Sequence, residues 1–191
     1  AEEEVSGANG LASVVQAMGP IDFAVVGEPT GMNVAVAEKG LLVLDVTIPG
    51  RAGHAAREEG ENAIYNALPT IEWFKNFRFP KASTTLGPIK MSVTQIQAGT
   101  KHNVVPDHCK CVVDVRTTDV YSHEEILAII REHVLGSVDA RSLRLRASSI
   151  DPTHPVVAMA IELGATPYGS PTLSDQALLA IPSCKMGPGQ S

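Results

Sequence analysis

The sequence predicts an α/β chain built around a β-α-β-β-α-β unit, the split βαβ or ferredoxin-like sandwich, set between two shorter α/β stretches. Three observations carry this. Residues 90–97 alternate as a strand does, residues 61–77 carry apolar side chains at helical spacing, and residues 122–135 form a second helix with its own cap signature. After Asp151 the texture returns to short helix and short strand, so the sandwich reads as an insertion.

Taken in order, residues 10–18 place Leu11, Val14, Val15 and Met18 on one helical stripe and stop at Gly19-Pro20, a helix terminator. Phe23-Ala24-Val25-Val26 reads as a short buried strand running into Gly27-Glu28-Pro29-Thr30. An acidic residue there stands at the carboxyl end of a strand, where open α/β sheets place their ligands. Residues 41–48 are a strand rich in Leu and Val. The 61–77 helix lines up Ala63, Ile64, Ala67, Leu68, Ile71 and Phe74. In residues 90–97, Met91, Val93, Gln95 and Gln97 share one face and Ser92, Thr94 and Ile96 the other. Residues 109–116 are β-rich, Ser122 caps the next helix with Glu125 in the capping-box position, and residues 142–147 make the last strand. Residues 155–163 are helical, residues 164–172 are a Gly/Pro-rich connection, and Cys184-Lys185-Met186 runs into Gly187-Pro188-Gly189. The expected division is 1–38, 39–147 and 148–191, the middle piece being the complete sandwich.

With 191 residues, 44% hydrophobic and 19% charged, the chain can bury a substantial core. Its net charge of −6 argues against nucleic acid as a partner, because phosphate backbones are bound by clustered Lys and Arg. No apolar run is long enough to span a bilayer and no charged-then-apolar leader opens the sequence, so a soluble protein is expected. Cys109, Cys111 and Cys184 cannot all pair; free thiols in a reducing cytoplasm are the economical reading.

Three features can carry chemistry. The first is Glu2-Glu3-Glu4 ahead of a glycine-rich turn, together with Glu28. Carboxylates ligate divalent metals, and one that does not ligate can deprotonate metal-bound water. A solvated acidic terminus is the plainer account of the triplet alone; Glu28 at a strand end shifts the balance. The second is Gly50-Arg51-Ala52-Gly53-His54-Ala55-Ala56, where small residues let an imidazole approach another surface and polarise a carbonyl. A lone loop histidine is more often passive. The third is Asn103, in Asn103-Val104-Val105-Pro106, with Arg116 in Asp114-Val115-Arg116. At opposite ends of a hairpin they could jointly clamp a carboxylate, or be a turn asparagine and a sheet-surface arginine.

Together these segments resemble the metallo-aminoacylase and peptidase family that includes acetylornithine deacetylase, succinyl-diaminopimelate desuccinylase, aminoacylase and carboxypeptidase G. The resemblance runs through Glu2-Glu3-Glu4 where the family has Asp-Glu-Glu, Gly27-Glu28-Pro29-Thr30, Gly53-His54-Ala55-Ala56 followed by Glu61-Asn62-Ala63-Ile64, Asn103-Val104-Val105-Pro106 and Val113-Asp114-Val115-Arg116. Within it the chain looks most like the acetylornithine deacetylase type. The resemblance implies a partial zinc-peptidase-like α/β catalytic domain interrupted by a ferredoxin-like lid and dimerisation domain. Glu3 would be the general base toward a water bridging two zinc ions, with cobalt as an alternative metal. Glu4 would ligate one zinc and Glu28 the other. His54 would cross a homodimer interface to stabilise the tetrahedral oxyanion in the partner's site. Asn103 and Arg116 would bind the α-carboxylate of the N-acyl amino acid, with Gly187 and Gly189 bordering the pocket.

The family also takes a His and a bridging Asp from before the acidic triplet and a final His from beyond the Gly-Pro-Gly loop. None is in this sequence. The expectation is therefore an internal piece of a dizinc amidohydrolase of arginine biosynthesis, acting on N-acetyl or N-succinyl ornithine or citrulline, itself inactive and without bound zinc. Succinyl-diaminopimelate desuccinylase and a dipeptidase or carboxypeptidase are the neighbouring readings. A noncatalytic dimerisation module is the reading from another class, and a ferredoxin-like domain binding small regulatory ligands is a third.

Overall fold

The computed structural model describes residues 11–190 apart from residues 16 and 58. Its elements are α1 (Leu11–Val15), β1 (Ala24–Val26), β2 (Val34–Glu38), β3 (Gly40–Pro49), β4 (Gly53–His54), α2 (Ala63–Asn76), β5 (Lys90–Ala98), β6 (Val104–Val105), β7 (His108–Thr117), α3 (His123–His133), β8 (Ser137–Ala140), β9 (Ser148–Ser149), α4 (Pro155–Glu162), β10 (Pro167–Ser170), a 3-10 turn (Asp175–Leu178) and β11 (Ser183–Lys185).

One sheet has the order β5-β7-β3-β8, with all three pairings antiparallel. With α2 and α3 supplied between its strands, this is the predicted ferredoxin-like sandwich. Alternation drives it. Along β3, Leu42, Leu44, Val46 and Ile48 are completely buried, and opposite them on β7 lie Val115, Val113, Cys111 and Cys109. The helices cover this face with Ala63, Ala67 and Phe74 of α2 and Ile126, Leu127 and Ile130 of α3. Asn62 caps α2 by accepting from the Ile64 N–H at 3.0 Å. Ser122 and Glu125 form the expected reciprocal capping box on α3.

The second sheet has the order β1-β11-β2-β10, with β9 also paired to β2. β1 and β11 run parallel, as do β2 and β10. Val34, Val36, Ile150, Val157, Ala160, Ala165 and Cys184 make its smaller core. Lys39 alone joins β2 of this sheet to β3 of the other.

Several expectations change. The fourth sandwich strand is β8, not residues 142–147: Gly136 turns the chain at φ 101° straight into Ser137, where the short run Ser-Val-Asp-Ala buries Val138. Residues 142–147 stay outside the ladder, although the Leu145 carbonyl accepts from Leu41. β2 went unpredicted because all five of its residues are buried and no alternation marks it. The Gly/Pro-rich connection at 164–172 contains β10. In β5 a bulge between Val93 and Gln95 resets the pleat, so Gln95 and Gln97 fall opposite Val112 and Lys110 on the open face, away from the side of Met91 and Val93. On α2 the buried stripe is narrower than expected, since Ile64 and Leu68 are exposed.

Candidate functional site

The loops after β1 and β11 leave the same end of a parallel strand pair, the position at which such sheets present ligand-binding residues. Backbone hydrogen bonds stitch them together: Thr30 N–H and Met32 N–H both donate to the Gly187 carbonyl, at 3.2 and 2.9 Å, and Gly31 N–H donates to Gly189. Thr30 Oγ1 in turn accepts from Gly187 N–H at 3.1 Å. A Cβ on Gly187 would come within 2.6 Å of the Glu28 carbonyl oxygen, so glycine is needed for the two loops to touch. Gly189 takes φ 80° at the end of the same turn. Glu28, Gly187 and Gly189 are thus brought together. The Glu28 carboxylate is half-buried and makes no hydrogen bond or ion pair among the described residues. Glu3 and Glu4 lie outside the described residues.

His54 and Asn103 form a second group. β4 pairs with β6, His54 opposite Val104, and the Ala55 N–H donates to the Asn103 carbonyl at 3.0 Å. Arg51 and Glu61 exchange both backbone hydrogen bonds at 2.8 Å and close the His54 loop. The loop is tight enough that a Cβ on Gly53 would meet the Glu59 carbonyl at 2.4 Å. Ala56 N–H donates to His54 Nδ1 at 3.1 Å, which orients the ring and leaves the proton of neutral imidazole on Nε2, ready to donate. His54 is exposed.

Arg116 belongs to neither group. Its Nε and Nη2 donate bidentately to Asp114, at 2.8 and 3.0 Å, on the open face of the sheet. It pairs with Leu41 and Lys90, at the end of the sheet where β3 begins. The tip that carries Asn103 lies beyond the other end of β7, more than ~20 Å away at the strand rise. A joint clamp by Asn103 and Arg116 of one chain is therefore not formed.

Behind the loop of Gly187 sits a buried polar network that sequence reasoning missed. Lys185 Nζ lies 3.3 Å from Glu38 Oε2, both side chains nearly inaccessible, and also donates to the Thr172 carbonyl at 3.1 Å. Ser174 Oγ donates to Glu38 Oε2 at 2.7 Å. Burial raises the Glu38 carboxyl above its ordinary value, against the pull of Ser174 and Lys185. The available signal was a charged residue inside each of two short apolar runs.

Among the described residues no three His, Cys, Asp or Glu side chains gather closely enough to hold a metal ion. Of the expected ligands only Glu28 is described, and one carboxylate does not make a zinc site. Among the same residues no helix is long and apolar enough to cross a membrane. Cys109, Cys111 and Cys184 are buried free thiols, and burial beside Cys109 pushes Cys111 up to about 11.

The peptidase dimerisation domain family matches residues 36–136. Succinyl-diaminopimelate desuccinylase of Buchnera aphidicola subsp. Cinara cedri is 28% identical over 141 residues, covering 68% of this chain and 38% of that protein. The enzyme of the same name from Aromatoleum aromaticum is 28% identical over 145 residues, covering 70% and 37%. The chain thus spans less than two fifths of the length of these curated relatives. A solved dinuclear metal-binding peptidase of Bacillus subtilis superposes with a TM-score of 0.68 at 17% identity, over 97% of this chain and 53% of that one, a likeness of fold. With a matched segment that takes in the whole helix-covered sheet except β8, the chain belongs to the metallo-aminoacylase and peptidase family that carries the peptidase dimerisation domain.

Proposed function

We propose that this chain supplies the lid, the dimer-forming surface and part of the substrate floor of a zinc-dependent amidohydrolase that cleaves the amide bond of an N-acyl amino acid. The observation that carries the reading is the reach of the lid. β3 runs ten residues, roughly 30 Å, from Gly40 at the junction with the second sheet to Pro49 beside the His54 loop. No hydrogen bond, ion pair or ring contact joins His54 or Asn103 to the Glu28 and Gly187 loops among the described residues. A histidine held at so distant a tip with Nε2–H available serves a site on another copy, where it donates to the oxyanion that forms as the amide carbonyl is attacked. Asn103 arrives with it. Arg116, fixed by Asp114 and keeping Nη1 for a substrate carboxylate, serves its own side of the dimer.

The second copy has a surface to use. α2 packs on the edge strand β5 and exposes Ile64, Tyr65 and Leu68, while β5 exposes Ile96. An unpaired edge beside apolar side chains favours sheet extension between two copies. The roles of Glu3 as base and of Glu4 and Glu28 as metal ligands belong to the same proposal, as do the divisions at residues 38 and 147 and residence in the cytoplasm, with which the free thiols agree.

Two substrates compete. N-acetylornithine or a related ornithine or citrulline derivative follows from the motif pattern, and an N-succinyl-diaminopimelate from the two desuccinylases at 28% identity. The test is zinc content together with hydrolysis of both compounds, in this chain and in a polypeptide that adds the expected histidine-bearing segments on either side. Turnover in the longer polypeptide, lost on His54→Ala and restored by mixing with a subunit that keeps His54 but lacks Glu3, supports the reading. Turnover of neither substrate with zinc bound overturns it in favour of a noncatalytic dimerisation module.

A further inference from the structure

Four cationic side chains and no carboxylate line a groove of about 580 Å³ between the end of α2 and the start of β5. Lys75 and Arg78 come from the helix end, Lys90 opens β5, and Lys39 is the residue that joins the two sheets. Ile71, Phe77 and Met91 form an apolar floor beneath them. None of these four cations lies within 4 Å of a carboxylate among the described residues. Two of the heads are also held. Lys39 Nζ donates to the Pro88 carbonyl at 2.6 Å, and Arg78 Nη1 donates to the carbonyls of Lys75 and Phe77 at 2.9 and 2.8 Å. Burial and the nearby charge of Lys90 both push Lys39 below its ordinary value, the mark of a cation that its neighbours disfavour. In a chain of net charge −6, a fixed concentration of like charge over an apolar floor is relieved by an anion that enters it.

We infer that this groove binds a small oxyanion carrying two or more negative charges, a phosphate or a dicarboxylate, at the junction between the lid and the second sheet. The inference is independent of the hydrolytic reading, since it needs neither metal nor turnover. Because Lys39 is the whole connection between β2 and β3, the bound anion ties the start of the lid to α2 and β5.

The chain carries its own reporter. Its single tryptophan, Trp73, stacks on Phe77 with ring centroids 4.5 Å apart, and Phe77 lines the groove. The experiment is a fluorescence titration of the full chain with inorganic phosphate and, separately, with glutarate, each against sodium chloride of matched ionic strength. A saturable change with either compound and none with chloride is expected, and the compound that gives it identifies the anion class. Lys90→Gln and Lys75→Gln, both exposed and therefore compatible with folding, should each weaken binding about tenfold, the loss of one charge-assisted contact. A response no different from that of chloride, or one unchanged in the Lys75→Gln/Lys90→Gln double variant with circular dichroism preserved, overturns the inference.

Discussion

In the lid, β3 and β7 bury eight apolar side chains on one face of the sheet and two helices close over them; in the flanking sheet, β2 buries Glu38 and β11 buries Lys185 as an ion pair outside a much smaller apolar core. The lid is stabilised by area removed from water, spread over many contacts and set by alternation. The flanking sheet adds to its small apolar core one buried ion pair whose desolvation is offset only while its partners stay in place. Glu38 Oε1, Gln176 Oε1 and Ser183 Oγ are buried there without a hydrogen-bond partner among the described residues, which sharpens the contrast. A region built the first way tolerates one poor contact. A region built the second way does not.

The largest expected effect tests the lid. Phe74→Ala should cost about 3–5 kcal/mol, because the ring is 1% exposed at the centre of the core; urea unfolding followed by Trp73 fluorescence reads it. A loss below about 1 kcal/mol would mean that this core can collapse around a void. Comparable in size but different in place, Lys185→Met leaves a buried carboxylate unpaired and should cost about 3 kcal/mol, seen in hydrogen exchange as lost protection of β2 and β11 with the β3 amides unchanged. The double variant Glu38→Leu/Lys185→Met should recover most of that loss. If the single and double variants are equally destabilised, the comparison between the two regions fails.

Intermediate effects concern α3. Ser122→Ala removes the cap and should cost about 1 kcal/mol in the same urea experiment. The smallest effect is a pH dependence. His123 is buried, its ring nitrogens facing Thr117 Oγ1 at 3.0 Å and the Leu143 carbonyl at 3.1 Å. Burial holds it below its ordinary value of 6.5, with Arg146 adding to the depression and Leu143 and Glu124 opposing it. The unfolded chain therefore takes up this proton first as pH falls. The contribution of His123 is fully present above pH about 6.5 and is lost as pH drops through that value toward the folded pKa. Melting temperatures measured from pH about 8 down to about 5.5 should fall in this window, and His123→Gln should flatten the slope.

The sandwich was legible because its strands are half-buried. The Leu- and Val-rich run of β3, the β-rich run of β7 and the Ser122 capping box are local marks of elements with one wet and one dry side, and they can be read without knowing the partner. β2 carries no such mark, since burial on both sides erases the alternation. β10 was hidden by its Pro and Gly. The β5 bulge was hidden because one extra residue, Thr94, breaks a pattern that otherwise looks regular. For the site, Gly53 beside His54 was visible as a close-approach signal and the Gly187-Pro188-Gly189 turn through the family resemblance, and the tight contacts at Glu59 and Glu28 explain why glycine stands at Gly53 and Gly187.

By itself, then, the sequence determined the family and the β-α-β-β-α-β order of the sandwich, and it named candidate side chains for chemistry, because residue type and spacing are local properties. Only the tertiary structure decided which of them meet. It put His54 with Asn103 and Glu28 with Gly187, sent Arg116 to the opposite end of β7, and buried Glu38 against Lys185. It also gathered four separate lysines and arginines around one groove. Such meetings join residues dozens of positions apart, and their distances follow from strand register and the path of the chain, which no local pattern encodes.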